Sequence, residues 1–388
     1  MPRALPRRAS RGASVGFLIF ALCLPACRST DGGASGIVVA LESMPQNLDP
    51  RFATDAASER IGNLVFRSLT RTDASGQHVP EIALDWTLDG PRSVTFRLRT
   101  DVAFHDGRPL TADDVRATYE SIRSPKTASP KRRLLDFLDG IDAPDPHTIR
   151  FRMKESYAPF LEASAIGILP RDLAAGSGRE ALVGSGPFRI ARVEPNHEVV
   201  LEAASNRGGL PRIRFRVIPD ETVRALEMRK RTVHLVQNGI EPETLATFRH
   251  QDGICVRQRP GTTFQYLGIN LRDPILRDRR VRQAIAMAID RESLVRHLFR
   301  DTARVASGLL APGHWAFAPD VTRYALDRAA AGRLLDEAGH PDPDGNGPAM
   351  RFRLGYKTTT LASRRRLAEA VQADLATIGI GLDIRSFE

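Results

Sequence analysis

Across residues 93–122 the spacing of apolar positions changes period once. Val94, Phe96 and Leu98 alternate with Thr95, Arg97 and Arg99, the period of a strand with one buried face. His105-Asp106-Gly107-Arg108-Pro109 cannot prolong that strand, because Gly107 and Pro109 supply turn geometry and Pro109 lacks a ladder donor. Thr111, with Asp114 three residues on, reads as a helix N-cap, and Val115, Tyr119 and Ile122 then share one helical face. The stretch predicts a strand, a tight turn and a helix.

The same reading continues along the chain. Residues 37–41 predict a strand, and Ile61, Leu64, Val65 and Leu69 mark one helix. A short helix near Leu134, a Pro/Asp turn at 143–146 and a strand at 148–152 follow. Residues 211–219 alternate cleanly, Asp220 and Glu221 cap a helix carrying Val223 and Leu226, and 233–236 predicts a strand that contains His234. Residues 264–270 predict another strand. Asp278 caps a helix whose Val281, Ile285, Ala288 and Ile289 share a face, and Asp327 caps one that stops at Gly339. A strand at 350–356, a helix bearing Leu367, Val371, Leu375 and Ile378, and a strand from Leu382 complete the pattern.

A chain of 388 residues with 42% hydrophobic content can bury more than one core. Its net charge of +10 comes almost wholly from arginine, with lysine only at 126, 131, 154, 230 and 357. Those arginines alternate with apolar residues, as in Arg212-Ile213-Arg214-Phe215-Arg216-Val217, which is the solvated face of a sheet. No nucleic-acid-binding motif accompanies them, so a nucleic-acid partner is not expected.

The first 26 residues have the form of a signal peptide. Arg3, Arg7, Arg8 and Arg11 precede an apolar run at 15–24 that is too short for a stable membrane anchor. Leu24-Pro25-Ala26-Cys27 ends it, and residues 28–36 form a Gly/Ser-rich tether. Beyond Cys23 and Cys27 only Cys255 remains, which rules out a disulfide framework, and its place between Ile254 and Val256 predicts a small buried side chain.

Several hints of chemistry fail on inspection. Ser185 lies between Gly184 and Gly186, but Val183 occupies the first glycine position of a nucleophile elbow, so the glycines serve backbone geometry. His234 has no second ligand nearby and reads as a packed histidine. Residues 342–347 imitate the start of a calcium loop, yet Arg353 stands where the bidentate Glu is required. With no H-E-x-x-H, P-loop or Cys/His set either, neither an enzyme nor a cofactor is expected.

The wording TFRLRTDVAFHDGRPLTADDVRATYESI, in contrast, resembles the signature segment of the family 5 extracellular solute-binding proteins of ABC importers. Four other stretches agree: the loop ending Leu48-Asp49-Pro50, VPEIALDW at 79–86 with Trp86 as a core anchor, GSGPFRI at 184–190, and residues 261–291 with Asn270, Val281-Arg282-Gln283-Ala284 and Asp290-Arg291. Leu24–Cys27 likewise resembles a lipobox, whose chemistry would place lipid on Cys27. The resemblance implies an α/β, two-lobed periplasmic-binding-protein type II fold. Residues 1–26 are the signal peptide with lipobox, 27–36 the tether, 37–72 and 184–262 lobe I, 73–183 a subdomain inserted in lobe I, and 263–388 lobe II. It covers nearly all of the chain after the leader and about the first two-thirds of the family's length, so lobe II is expected to be incomplete. The acidic residue that holds a peptide amino terminus in peptide-binding members falls beyond position 388.

By that resemblance the protein is a monomeric lipoprotein that captures short peptides by lobe closure and delivers them to ABC permease subunits. A nickel chelate, an opine or a sugar are alternative ligands, and a truncated, membrane-tethered protein-interaction module is a further reading. The loop at 43–50 would lie near the cleft, which makes Met44 and Asn47 ligand candidates. A strand crossing between lobes makes Phe264, Gln265 and Tyr266 candidates as well, with core packing as their alternative role. The location is the cell envelope, outside the cytoplasmic membrane; Arg28 is not the Asp that commonly retains lipoproteins at the inner membrane, which leaves outer-membrane sorting open. Cys27→Ser is expected to move the protein from the membrane to the soluble fraction of lysed cells. Unchanged membrane association would refute lipidation at that residue.

Overall fold

A computed structural model describes residues 36–387, apart from 74–75, 158, 176–181, 206–208, 262, 313, 315 and 346. The leader, Cys27 and the tether up to Ser35 lie outside the described residues. Among those described, no helix is long and apolar enough to cross a membrane.

A five-stranded sheet is ordered Leu235–Val236, Ile37–Leu41, Arg212–Val217, Glu198–Ala203, Phe188–Glu194. Ile37–Leu41 pairs in parallel with both its neighbours, and the remaining pairs are antiparallel. The arginine alternation does what its period demands: Ile213 and Phe215 join a core with Val39, Leu41, Ile61, Val65 and Leu201, while Arg212, Arg214 and Arg216 face outward. Glu198 is buried on that outer side, held by Arg192 and by Arg214 at 2.9 Å, so its charge is compensated where water is excluded.

Ser93–Leu98 is the second strand of an antiparallel sheet ordered Ala83–Leu88, Ser93–Leu98, Thr148–Met153, Leu138–Asp145. Helix Ala112–Arg123 covers it. Asp114 accepts the Thr111 N–H at 2.9 Å, the predicted cap, and Val115, Tyr119 and Ile122 are fully buried. Tyr119 stands edge-on to Phe151 at 5.0 Å and donates its hydroxyl to the Ala163 carbonyl, so its polar end is satisfied inside an aromatic core. Trp86 packs on that core against Phe96.

The third core joins helices Arg279–Ala288, Arg328–Glu337 and Ala362–Ala376 to a parallel pair of strands, Phe352–Thr359 and Ile380–Phe387. Asp278 and Asp327 cap their helices through the Arg280 and Ala330 amides, and Gly339 takes the left-handed conformation after the second.

Several expectations do not hold. The helix expected from Ile61 to Leu69 is Ala56–Val65; Leu69 is buried beyond it, where its carbonyl accepts the Glu81 and Ala83 amides. Residues 143–145 of the expected turn are instead the end of an unforeseen strand, Leu138–Asp145, whose irregular register between Asp142 and Asp145 accommodates Pro144, and the chain turns at Pro146-His147. On helix Glu221–Arg229, Val223 and Leu226 are exposed and Arg224 is buried, because its guanidinium binds the carbonyls of Ile218, Pro219 and Gly239. His234 is exposed rather than packed, although its Nδ1 accepts the Val38 amide at 3.0 Å. Cys255 is exposed, and 264–270 forms no strand: these residues have strand propensity but no ladder partner among the described residues.

Gly184 and Gly186 meet helix Ala56–Val65 at its last residue. A Cβ on Gly184 would lie 1.9 Å from the Val65 carbonyl oxygen, and one on Gly186 2.4 Å from that of Leu64. The Gly186 amide donates to Val65 O at 2.8 Å. His105, in the turn of the signature stretch, closes the join. Its amide donates to Gly184 O at 2.8 Å, its Nδ1 accepts the Gly184 amide at 3.3 Å, and its Nε2 lies 3.0 Å from Gly186 O. An acceptor role for Nδ1 puts the proton on Nε2, so the ring is neutral.

Burial holds the His105 pKa below its ordinary 6.5, against the pull of the Gly186 carbonyl. Nearby Arg189 lowers it further and Asp106 opposes that effect. The unfolded chain therefore binds this proton more readily than the folded one. The stability due to His105 is complete above pH 6.5 and is lost as pH falls below it toward the folded value. Urea unfolding of the wild type and His105→Gln from pH 8 to pH 5 checks this: the wild type is expected to show the steeper acid loss. Parallel curves would exclude His105 as its source.

Candidate functional site

Phe264, Gln265 and Tyr266 lie by the carboxyl ends of the parallel strands. With Tyr356, Lys357, Thr358 and Thr359 at the end of one strand, Phe387 on the other, and Arg364 and Leu367 on the helix between them, they enclose an open groove of about 610 Å³. The carboxyl ends of parallel strands are where open α/β sheets place ligands, because the chain reverses there and leaves a crevice. The volume is within the range of small-molecule sites, about 300–1,000 Å³.

Phe264 and Tyr266 stack with ring centroids 5.8 Å apart and planes 14° from parallel. Phe264 is half-buried and Tyr266 exposed, so one ring supports the other as a wall. Opposite, the Lys357 ammonium lies 5.8 Å from the centroid of Phe387, within cation–π range. Lys357 and Arg364 are charged lining residues, and among the described residues no carboxylate lines the groove. Burial pushes the Tyr356 phenol above its ordinary value, with Arg364 acting in the opposite sense. Helix Ala362–Ala376 adds its positive end, with no acidic residue in its first turn. The groove thus offers aromatic faces to an apolar body, hydroxyl and amide groups for hydrogen bonds, and positive potential for an anion.

The structure brings Phe264, Gln265 and Tyr266 together in this groove. It places Met44 and Asn47 elsewhere. Met44 is half-buried on the core of the five-stranded sheet, and Asn47 is engaged in its own loop, its Oδ1 accepting the Asp49 amide at 2.9 Å and its amide donating to Ser58 Oγ. Cys27 lies outside the described residues. Among those described there is no group of three or more His, Cys, Asp or Glu side chains that could hold a metal ion.

The sequence reading missed Tyr356, Lys357 and Arg364. Two signals pointed to them: three arginines, 364–366, open a helix against its dipole, and a lone lysine ends a strand in an arginine-rich chain. Neither signal names a ligand site until the strands are known to be parallel and adjacent.

Residues 77–388 match the bacterial extracellular solute-binding proteins, family 5 Middle. The chain is 29% identical to Protein XP55 of Streptomyces lividans, over all of this chain and 74% of that protein. It is 27% identical to Di/tripeptide-binding protein 2 of Pseudomonas aeruginosa, over 99% of this chain and 77% of the relative. The fold matches the crystal structure of NikZ from Campylobacter jejuni in complex with Ni(L-His), with a TM-score of 0.78 and 25% identity, over 90% of this chain and 73% of that one.

Proposed function

This chain belongs to the bacterial extracellular solute-binding proteins of family 5, with their two-lobed α/β fold, and on that premise we propose that it captures short peptides outside the cytoplasmic membrane for an ABC importer. Residues 37–72 and 184–262, with the 73–183 insertion, serve as one lobe and 263–388 as the other. The lobes close on the ligand about the segment that passes the groove, in a hinge motion. Lipid on Cys27 keeps the monomer beside its permease.

One observation carries the reading: a groove at the strand ends combines an aromatic wall with two cations and, among the described residues, no carboxylate. A peptide of a few residues suits it, its carboxylate toward Lys357 and Arg364 and an apolar side chain on Phe264 and Tyr266. The similarity to a di/tripeptide-binding protein supports the same ligand class. The same cations also favour a second ligand class, a small anionic chelate, and the fold neighbour bound to Ni(L-His) supports that alternative.

Native mass spectrometry of the protein purified without refolding is expected to show adducts at short-peptide masses. Lys357→Glu, which sets a carboxylate against the ligand's own, is expected to weaken tripeptide binding about 10- to 100-fold in calorimetric titration. A bare protein mass, with no heat from di- to pentapeptides, would overturn peptide capture. Nickel–histidine adducts in its place would establish the chelate.

A further inference from the structure

Helix Pro242–Phe248 is fastened to the layer beside the five-stranded sheet. The Arg229 guanidinium lies over the Phe248 ring and donates to Thr247 Oγ1 at 2.9 Å, and the Glu241 amide donates to Glu221. From this helix Glu243 reaches the other part of the molecule. Its two carboxylate oxygens lie 3.4 Å from Arg300 and 3.6 Å from Arg366. Among the described residues these are the ion pairs that join the chain before residue 263 to the chain after it.

Two independent features single out this carboxylate from an ordinary surface ion pair. Arg300 and Asp301 are consecutive non-glycine residues in the left-handed conformation, which is unfavourable for a side-chain-bearing residue, and Arg300 meets Glu243 from that turn. Arg366 sits close to the N-terminus of helix Ala362–Ala376, where a cation opposes the helix dipole and that helix supplies no acid of its own in the first turn. A further relay straps the same loop along the helix: Thr302 O accepts from Gln258, whose Oε1 accepts from Arg249 at the helix C-cap. Both ion-pair distances exceed the 2.7–2.9 Å of a fully formed charge-assisted bond, so the shared carboxylate has room to tighten.

We propose that Glu243 is a latch between the lobes, and that its joint hold on Arg300 and Arg366 sets how long the lobes stay together around a ligand. Arg366 lies two residues from Arg364, which lines the groove, so release of one loosens the first turn that carries the other. All three side chains are solvent-accessible, which makes the latch sensitive to salt. The ligand half of this inference rests on the function proposed above; the latch itself does not.

The test is hydrogen–deuterium exchange on the full chain, wild type against Glu243→Gln, Arg366→Gln and the double variant. Faster exchange at 300–302 and 362–366 is expected in Glu243→Gln and at 362–366 in Arg366→Gln, with the double variant no faster than Glu243→Gln. In parallel, the dissociation rate of Ala-Phe-Ala is expected to rise about threefold in Glu243→Gln. The wild-type rate should climb toward it between about 0.05 and 0.5 M salt. Unchanged exchange, or effects that add in the double variant, would overturn the latch whether or not the peptide binds. Altered exchange in a protein that binds no peptide would support the latch and count against peptide capture alone.

Discussion

The close approach of the 184–186 turn to the end of helix Ala56–Val65 is the constraint on which the described architecture rests. Three structures meet there: the helix that packs on the five-stranded sheet, the turn that leads into strand Phe188–Glu194, and the loop of the signature stretch carrying His105. No side chain fits between them, since a Cβ at Gly184 would overlap the Val65 carbonyl. The backbone groups brought so close are satisfied by one another and by one neutral imidazole, which accepts at one nitrogen and donates at the other. The four-stranded sheet, with its own aromatic core, is thereby held to the five-stranded one by directional bonds that specify their registry.

Charge follows a related logic. The arginine excess is spread over sheet faces and helix ends, and part of it is paired within an element or with a neighbour, as in the Arg192–Glu198–Arg214 cluster. The parts of the molecule assigned a role here depart from that pattern. In the groove Lys357 and Arg364 meet aromatic rings, hydroxyls and an amide but, among the described residues, no carboxylate, so their field is available to a ligand. At the latch, Arg366 finds its counter-charge on a helix distant in sequence.

Much of the fold was legible because local patterns agreed with tertiary demands. The strand, turn and helix at 93–122 form as their periods predict, Thr111 and Asp114 cap as their spacing requires, and Asp278 and Asp327 begin helices. Amphipathic period and capping depend on residues within a turn or two of each other, so one sequence carries them in full. The wording of the signature stretch pointed to the family for the same reason, since its glycine, proline and acidic positions are local.

The illegible part required knowledge of what lies across space. Residues 264–270 have strand propensity and form no strand, because propensity does not supply a ladder partner. Val223 and Leu226 are exposed while Arg224 is buried, because three carbonyls from other segments converge on its guanidinium. Met44 and Asn47 were set beside the aromatic segment as site candidates by resemblance; packing took Met44 into a core, Asn47 into its own loop, and put Tyr356, Lys357 and Arg364 beside the aromatic segment instead. By itself the sequence determined the strand, turn and helix at 93–122, the caps at Thr111, Asp278 and Asp327, and the family, all of which depend on near neighbours along the chain. The tertiary structure alone decided which cations lie beside Phe264 and Tyr266 and that Glu243 pairs with Arg300 and Arg366, because those contacts join residues that only the folded chain brings within a few ångströms.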